Sequence, residues 1–142
     1  MLLTRGCLAL QKIISLRRAT IALLLSAPSH AEPFVVHPDA RGVQTIEVRL
    51  DSYSYTPDHL VVKAGKPVVL ILRNTASIAP HNLVLADPQA GFRVRQEVAA
   101  GDSARVVFTP RKKGVFTFYC DKKLLFLPSH REQGMEGRLE VR

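Results

Sequence analysis

The sequence has few of the residues that build common cofactor and disulfide frameworks. Its 142 residues include no tryptophan, only two methionines and only two cysteines, Cys7 and Cys120. It contains no Cys-x-x-Cys-His segment, which excludes the covalent attachment of a c-type haem. The chain is also too short for separate cofactor and substrate domains, since one domain takes roughly 100 to 200 residues. These absences leave one small module.

Long hydrophobic runs are also missing. The apolar stretch at residues 19–27 (ATIALLLSA) is far shorter than the ~20 residues that a membrane-spanning helix needs. Arg17 and Arg18 precede it, and small residues follow at the positions that signal peptidase reads. We therefore expect residues 1–31 to be an export signal that is cut after Ala31. The product would be a soluble periplasmic protein without an integral membrane anchor. The paired arginines leave both general secretion and twin-arginine export open.

The positive charge of the chain is concentrated in that predicted signal. The whole sequence has 20 Lys+Arg and 12 Asp+Glu, but four of the basic residues and none of the acidic ones fall within residues 1–31. The remainder has a formal charge of +4, which gives little support to a nucleic-acid partner. It also has a single cysteine, Cys120, and so cannot form an internal disulfide. An unpaired thiol in an oxidising compartment indicates burial, catalysis or a bound metal.

From residue 44 onwards, short β-rich runs alternate with turn residues at the spacing of an all-β sandwich. Residues 45–50 alternate strictly, and residues 68–72 (VVLIL) are apolar on both faces, which predicts a central strand. The other predicted strands are 60–63, 81–86, 94–98, 104–109, 115–120 and 137–141. We expect a two-sheet Greek-key β-sandwich over residues 44–142, an irregular segment at 32–43, and a long loop at 121–135.

Residues able to bind a metal surround the last predicted loop. Cys120 ends an apolar-aromatic strand, His130 follows after nine residues, and Met135 lies just before the closing strand. His81 begins a strand some forty residues upstream. Two His and one Cys with a weak Met form the ligand set of a blue-copper electron-transfer site. The thiolate binds both copper oxidation states strongly, and the weak thioether keeps the reduced state accessible.

On these residues the sequence resembles the cupredoxins, the family of plastocyanin, azurin, amicyanin and sulfocyanin, over residues 44–142. The matching segments are 55–68 (YTPDHLVVKAGKPV), 72–74 (LRN), 80–82 (PHN), 118–120 (FYC) and 134–137 (GMEG). The resemblance implies one type 1 copper per chain, with His81, Cys120, His130 and Met135 as ligands. It also implies that Asn82 supports the ligand loop by hydrogen bonds. The implied function is to shuttle single electrons between redox partners, without enzymatic activity. The loop from Cys120 to His130 is longer than in plastocyanin or azurin and closer to the copper domain of nitrite reductases.

Other functions fit the same residues less well. A binuclear copper centre needs two bridging cysteines, and structural zinc rarely recruits methionine. A cysteine nucleophile could use His81 or His130 as its base, but no oxyanion-hole motif accompanies them. The main alternative is a periplasmic protein that carries or delivers copper without electron transfer, and a metal-free interaction module is a third. His37 and His59 match no ligand position and are predicted to be ordinary exposed residues.

Two lysines inside the ligand loop suggest how a redox partner is attracted. Lys122 and Lys123 are two and three positions after Cys120, so both are expected near the metal. A cationic rim there would steer an acidic redox partner such as a cytochrome. The protein itself is expected to be a monomer.

Overall fold

The computed structural model describes residues 32–142, so the predicted export signal lies outside the described residues. This part of the chain contains ten strands and no α-helix. Correspondingly, no helix among these residues is long and apolar enough to cross a membrane. The strands are β1 (Phe34–Val35), β2 (Gln44–Asp51), β3 (Ser54–Thr56), β4 (His59–Val62), β5 (Val68–Asn74), β6 (His81–Asp87), β7 (Phe92–Val98), β8 (Ser103–Phe108), β9 (Gly114–Tyr119) and β10 (Glu136–Val141).

The strands form two sheets, as an all-β sandwich requires. The larger sheet has the order β1-β4-β10-β9-β6-β7, and the smaller has the order β3-β2-β5-β8. Strand β5 lies between β2, to which it is parallel, and β8, to which it is antiparallel. This position confirms the central strand predicted from its two apolar faces. The predicted fold class is therefore confirmed.

Side-chain alternation builds the core between the sheets. In β2, Ile46, Val48 and Leu50 are buried, while the residues between them are exposed. At one end of the core, the ring of Phe92 packs edge-on against those of Phe108 and Phe116. Removal of such apolar surface from water is the main stabilising term, at roughly 25 cal/mol per Å².

The structure adds two short strands to those predicted. Strand β1 lies inside the segment 32–43, which was predicted to be irregular, and it pairs in parallel with β4 at the sheet edge. Strand β3 pairs with β2 just after a tight turn. Two or three residues carry too little alternation to reveal a strand, and both were missed for that reason.

Of the two histidines predicted to be exposed, one is not. His37 is exposed, as expected. The His59 side chain is only 16% exposed and lies 3.2 Å from a Glu140 carboxylate oxygen. The expectation for His59 was wrong because β4 pairs in parallel with β10, which brings this polar pair together across the sheet.

The topology brings three strand ends to one place. Strand β9 is antiparallel to β6 and to β10, with Tyr119 opposite both Val84 and Glu136. The start of β6, the end of β9 and the start of β10 therefore lie together at one end of the larger sheet. The predicted ligands are all at these ends or in the loop between β9 and β10.

Candidate metal centre

Three of the predicted ligands form one buried cluster. The Nδ1 atoms of His81 and His130 are 3.0 Å apart. The Sγ atom of Cys120 lies 3.4 Å from the His130 Nδ1 and 3.9 Å from the His81 Nδ1. The side chains are 8% exposed or less. Because the three donor atoms converge, one metal ion could contact all of them.

Main-chain hydrogen bonds hold the long loop in place around this cluster. The Cys120 N–H donates to the Met135 carbonyl at 3.0 Å, and the Met135 N–H donates to the His130 carbonyl at 2.9 Å. The His130 N–H donates to the Lys122 carbonyl at 2.8 Å. The loop is therefore closed at its base, and its length does not separate His130 from Cys120.

Met135 is fully buried directly before β10. The preceding Gly134 has a φ of +97°, a conformation that L side chains rarely adopt, so glycine is needed for the turn that leads into it. Gly137, two residues after Met135, lies so close to the Phe118 ring and the Asp58 carbonyl that a Cβ would overlap both. These two glycines fix the path of the chain on either side of Met135.

Burial keeps the cluster neutral when no metal is bound. It lowers the pKa of both histidines. The pKa of His81 is lowered further because two adjacent imidazoles resist protonation together, although Asp51 opposes this, and the Lys122 ammonium lowers that of His130. Burial also raises the pKa of the Cys120 thiol, although hydrogen bonding from the Asn82 N–H opposes this. The imidazoles can therefore offer lone pairs at neutral pH. A bound cation would displace the thiol proton.

Asn82 connects the cluster to its surroundings. Its N–H donates to the Cys120 Sγ at 3.4 Å, and its carbonyl accepts a 2.6 Å hydrogen bond from the buried Tyr55 hydroxyl. Its side-chain Nδ2 donates to the Asp121 carboxylate at 2.7 Å, and its Oδ1 accepts from the Asp121 N–H at 3.1 Å. The structure thus shows Asn82 bonded to both the thiol and the residue that follows it.

A set of four charged residues, which we call the charge cluster, surrounds the Asn82 side chain: Arg95, Glu97, Asp121 and Lys122. Arg95 donates two hydrogen bonds to the Asp121 carboxylate, at 2.7 and 3.2 Å. Lys122 forms an ion pair with Glu97. The two lysines of the predicted cationic rim therefore differ, because Lys122 is paired whereas Lys123 is exposed.

Residues 124–127 (Leu-Leu-Phe-Leu), the apolar tip, lie on the other side of His130. They form a turn in which the Leu127 N–H donates to the Leu124 carbonyl at 2.9 Å. Leu125 is 75% exposed and Phe126 is 91% exposed. Large exposed apolar patches commonly mark interaction sites.

A groove of about 340 Å³ joins this tip to the cluster, since its lining includes Leu124, Leu127, Ile78, Tyr53 and His130. The Tyr53 ring packs edge-on against the His130 ring, with centroids 4.9 Å apart. His130 is therefore the member of the cluster that lies beneath the apolar surface.

Neither the charge cluster nor the apolar tip was predicted, although the sequence contains a partial signal for each. Arg95 and Glu97 occupy alternate positions of β7, flanked by Val94 and Val98, which places both on its outer face. Asp121 directly follows Cys120, so its proximity to the thiol could have been inferred. The four consecutive apolar residues of the tip stand in a loop without alternation, where burial is not expected.

Comparison with known proteins agrees with this geometry. The family model for the cupredoxin-like domain matches residues 17–134, which is more than half of the chain. The chain belongs to the cupredoxin-like family. A comparison with curated protein sequences finds no match.

Several solved structures share this cupredoxin fold. The metal-binding domain of the Cu(I)-exporting P-type ATPase CopA from Streptococcus pneumoniae D39 is 15% identical, with a TM-score of 0.61, over 78% of this chain and 96% of that one. Auracyanin from Roseiflexus castenholzii is 22% identical, with a TM-score of 0.57, over 69% and 96%. Auracyanin A, a blue copper protein from Chloroflexus aurantiacus, is 21% identical, with a TM-score of 0.56, over 71% and 100%. At these identities the likeness shows the fold alone.

The donor chemistry of the cluster fits copper. His81, Cys120 and His130, together with Met135, are arranged like a type 1 copper site in the cupredoxin fold. Imidazole and thiolate suit both copper oxidation states, whereas magnesium and calcium prefer oxygen donors. The cluster itself contains no carboxylate.

Proposed function

We propose that this cupredoxin is a type 1 blue copper protein that shuttles single electrons between redox partners. The observation that carries the proposal is the buried convergence of His81, Cys120 and His130 at one end of the sandwich. Copper bound there would supply reversible one-electron chemistry between Cu(II) and Cu(I). Met135 is proposed as the weak fourth ligand, because its backbone is bonded to both Cys120 and His130.

The residues of this chain serve that chemistry by staying in place. His81 is fixed by β6, Cys120 by the end of β9, and His130 by the hydrogen bonds at the base of its loop. A donor set that is rigid before the electron arrives needs little rearrangement afterwards. The buried position also keeps water away from the thiolate.

The visible spectrum after addition of Cu(II) tests this proposal. We expect about one copper per chain and an intense thiolate-to-copper band, which should disappear in Cys120→Ser. The metal-free variant should keep the circular dichroism of the parent protein, because serine is slightly smaller than cysteine and occupies the same space. A retained intense band in Cys120→Ser would show that another donor set gives the colour.

Electron exchange is proposed to occur at the surface above His130. The groove and the apolar tip provide an exposed area there, with Lys123 at its edge. An acidic cytochrome or another carrier would dock on it through a small interface, as transient redox complexes do. In this arrangement the apolar surface makes the contact and Lys123 contributes to steering.

Copper carriage without electron transfer is the competing function, and the likeness to a domain of a Cu(I)-exporting ATPase keeps it under consideration. The buried Cys120 argues for electron transfer, because a delivery protein must release its metal to a receiver. Cyclic voltammetry and a copper-transfer assay to a Cu(I) chelator distinguish the two functions. A reversible couple with slow transfer supports an electron carrier. An irreversible couple with rapid transfer supports carriage.

Periplasmic export, a monomeric state and the absence of enzymatic activity complete the proposal. Export rests on the features of residues 1–31. N-terminal sequencing of the protein from the periplasmic fraction should show Glu32 as the first residue. Recovery of residues 1–31 on protein from washed membranes would instead indicate an uncleaved anchor.

A further inference from the structure

The charge cluster spans three neighbouring strands beside the thiol. Arg95 and Glu97 project from β7, Asp121 and Lys122 follow β9, and Asn82 on β6 lies between them. The strand register accounts for this arrangement. Asn82 is the partner of Glu97, and extension of the antiparallel pairing of Val84 with Tyr119 by two residues places Asn82 opposite Asp121. The backbone therefore fixes these charges relative to Cys120.

The two acidic residues of the cluster are not equivalent. Asp121 follows Cys120 directly and shares two hydrogen bonds with the Asn82 side chain, whereas Glu97 contacts Asn82 once, at 3.3 Å. The Asp121 carboxylate accepts hydrogen bonds from the Asn82 Nδ2 at 2.7 Å and from the Arg95 guanidinium at 2.7 and 3.2 Å, so the groups around it are donors that suit a negative charge. A fixed negative charge thus lies next to the thiolate ligand, with one guanidinium bonded to both of its oxygens.

We propose that Asp121 and Arg95 act as an opposed pair that sets the balance between Cu(II) and Cu(I), an inference that rests on the proposed copper function. The Asp121 carboxylate favours Cu(II), because a negative charge stabilises the more positive metal. Arg95 offsets that preference by partly neutralising the carboxylate. Both are positioning residues, since neither belongs to the donor cluster itself.

The same contacts also give Asp121 a geometric role. By accepting from the Asn82 Nδ2 and donating its own N–H to the Asn82 Oδ1, it orients the residue whose N–H donates to the Cys120 Sγ. Asparagine at position 121 keeps the size and the main-chain donor but removes the charge. The electrostatic role can therefore be tested with little change in shape.

Redox titration of copper-loaded variants provides the test. Asp121→Asn should raise the Cu(I)/Cu(II) ratio at a fixed applied potential, and Arg95→Gln should lower it, each by about threefold to tenfold for a partly screened charge. The double variant should return to within about twofold of the parent, because both charges are then absent. Arg95→Lys should stay near the parent value, since it keeps the positive charge.

Arg93→Gln is the matched control. Arg93 is exposed two positions along β7, on the same face but further from the start of β6, and it should leave the ratio unchanged. If Asp121→Asn and Arg95→Gln shift the Cu(I)/Cu(II) ratio in the same direction and keep the blue band, the inference is wrong but the proposed copper function stands. Such a result would indicate a structural effect, because a purely structural effect has no reason to follow the sign of the charge. Absence of the blue band from the parent protein would overturn the proposed function first.

Discussion

The two sides of the His81–Cys120–His130 cluster are built differently. On the side of β7, the charge cluster and Asn82 pair donors with acceptors around the thiol. On the side of the apolar tip, Leu125 and Phe126 project into solvent at a turn. The first side, which we call the holding side, fixes the cluster by hydrogen bonds. The second, which we call the contact side, is exposed and available for contact.

The backbone conformation of the apolar tip lowers the stability of the fold, which further separates the contact side from the holding side. Leu125 has a φ of +50°, a conformation usually occupied by glycine or asparagine. A leucine there gains little from burial, because most of its surface remains in water. Fold stability alone would favour polar turn residues at this position. The apolar side chains suit the docking surface proposed above, where a redox partner would cover them.

Asn82→Ala should produce the largest effect, because it breaks the holding side. The substitution leaves the Asp121 N–H and carboxylate without their buried partner, and we expect unfolding free energy to fall by about 2 kcal/mol. Gln96→Ala on β7 is the control, since its side-chain hydrogen bond is exposed and should be worth less than about 0.5 kcal/mol. Urea denaturation of the metal-free proteins measures both values. Equal losses would mean that Asn82 has no special structural role.

Leu125→Asn combined with Phe126→Gly should affect only the contact side. These residues suit the turn, so stability should be unchanged or slightly higher, and the visible spectrum should be retained. The bimolecular electron-transfer rate with a redox partner should fall about tenfold, corresponding to ~1.4 kcal/mol.

Val107→Thr supplies the control for the tip variant. Val107 is a half-exposed residue of β8 in the other sheet, and its replacement should leave the electron-transfer rate unchanged. Stopped-flow kinetics at a fixed ionic strength compares the variants. A parent-like rate in the tip variant would show that docking uses another surface.

Met135→Leu tests whether the cluster includes a weak fourth ligand. The swap conserves volume in a fully buried site, so it should cost less than ~1.5 kcal/mol of stability and keep the copper. Loss of an axial thioether destabilises Cu(II) more than Cu(I), and the reduction potential should rise. Spectroelectrochemistry measures the change. Complete loss of copper from this variant would be inconsistent with a weak axial role.

The sequence predicted the strands of the sandwich and the ligand residues better than the surroundings of the ligand cluster. Strict alternation in residues 45–50 and the continuous apolar run at 68–72 identified strands, because each pattern extends over at least five residues. The ligand residues could be selected by chemistry, as Cys120 and Met135 are scarce residue types. The Arg95–Asp121 pair depends on strand register, which no local pattern encodes. The pairing of Lys122 with Glu97 was missed for the same reason.

The smallest expected effect concerns Lys123, whose charge lies at the edge of the contact side. Lys123→Glu should slow association with an acidic partner about twofold to threefold at low salt, because one reversed charge weakens steering only modestly. Lys113→Glu is the matched control. It makes the same change in net charge just before β9, at the opposite end of the strand from Cys120. The difference between the two variants should shrink as ionic strength approaches ~0.15 M, where the Debye length is about 8 Å. If both variants slow the reaction equally at every salt concentration, net charge alone steers the partner, and the position of Lys123 beside the apolar tip has no influence on docking.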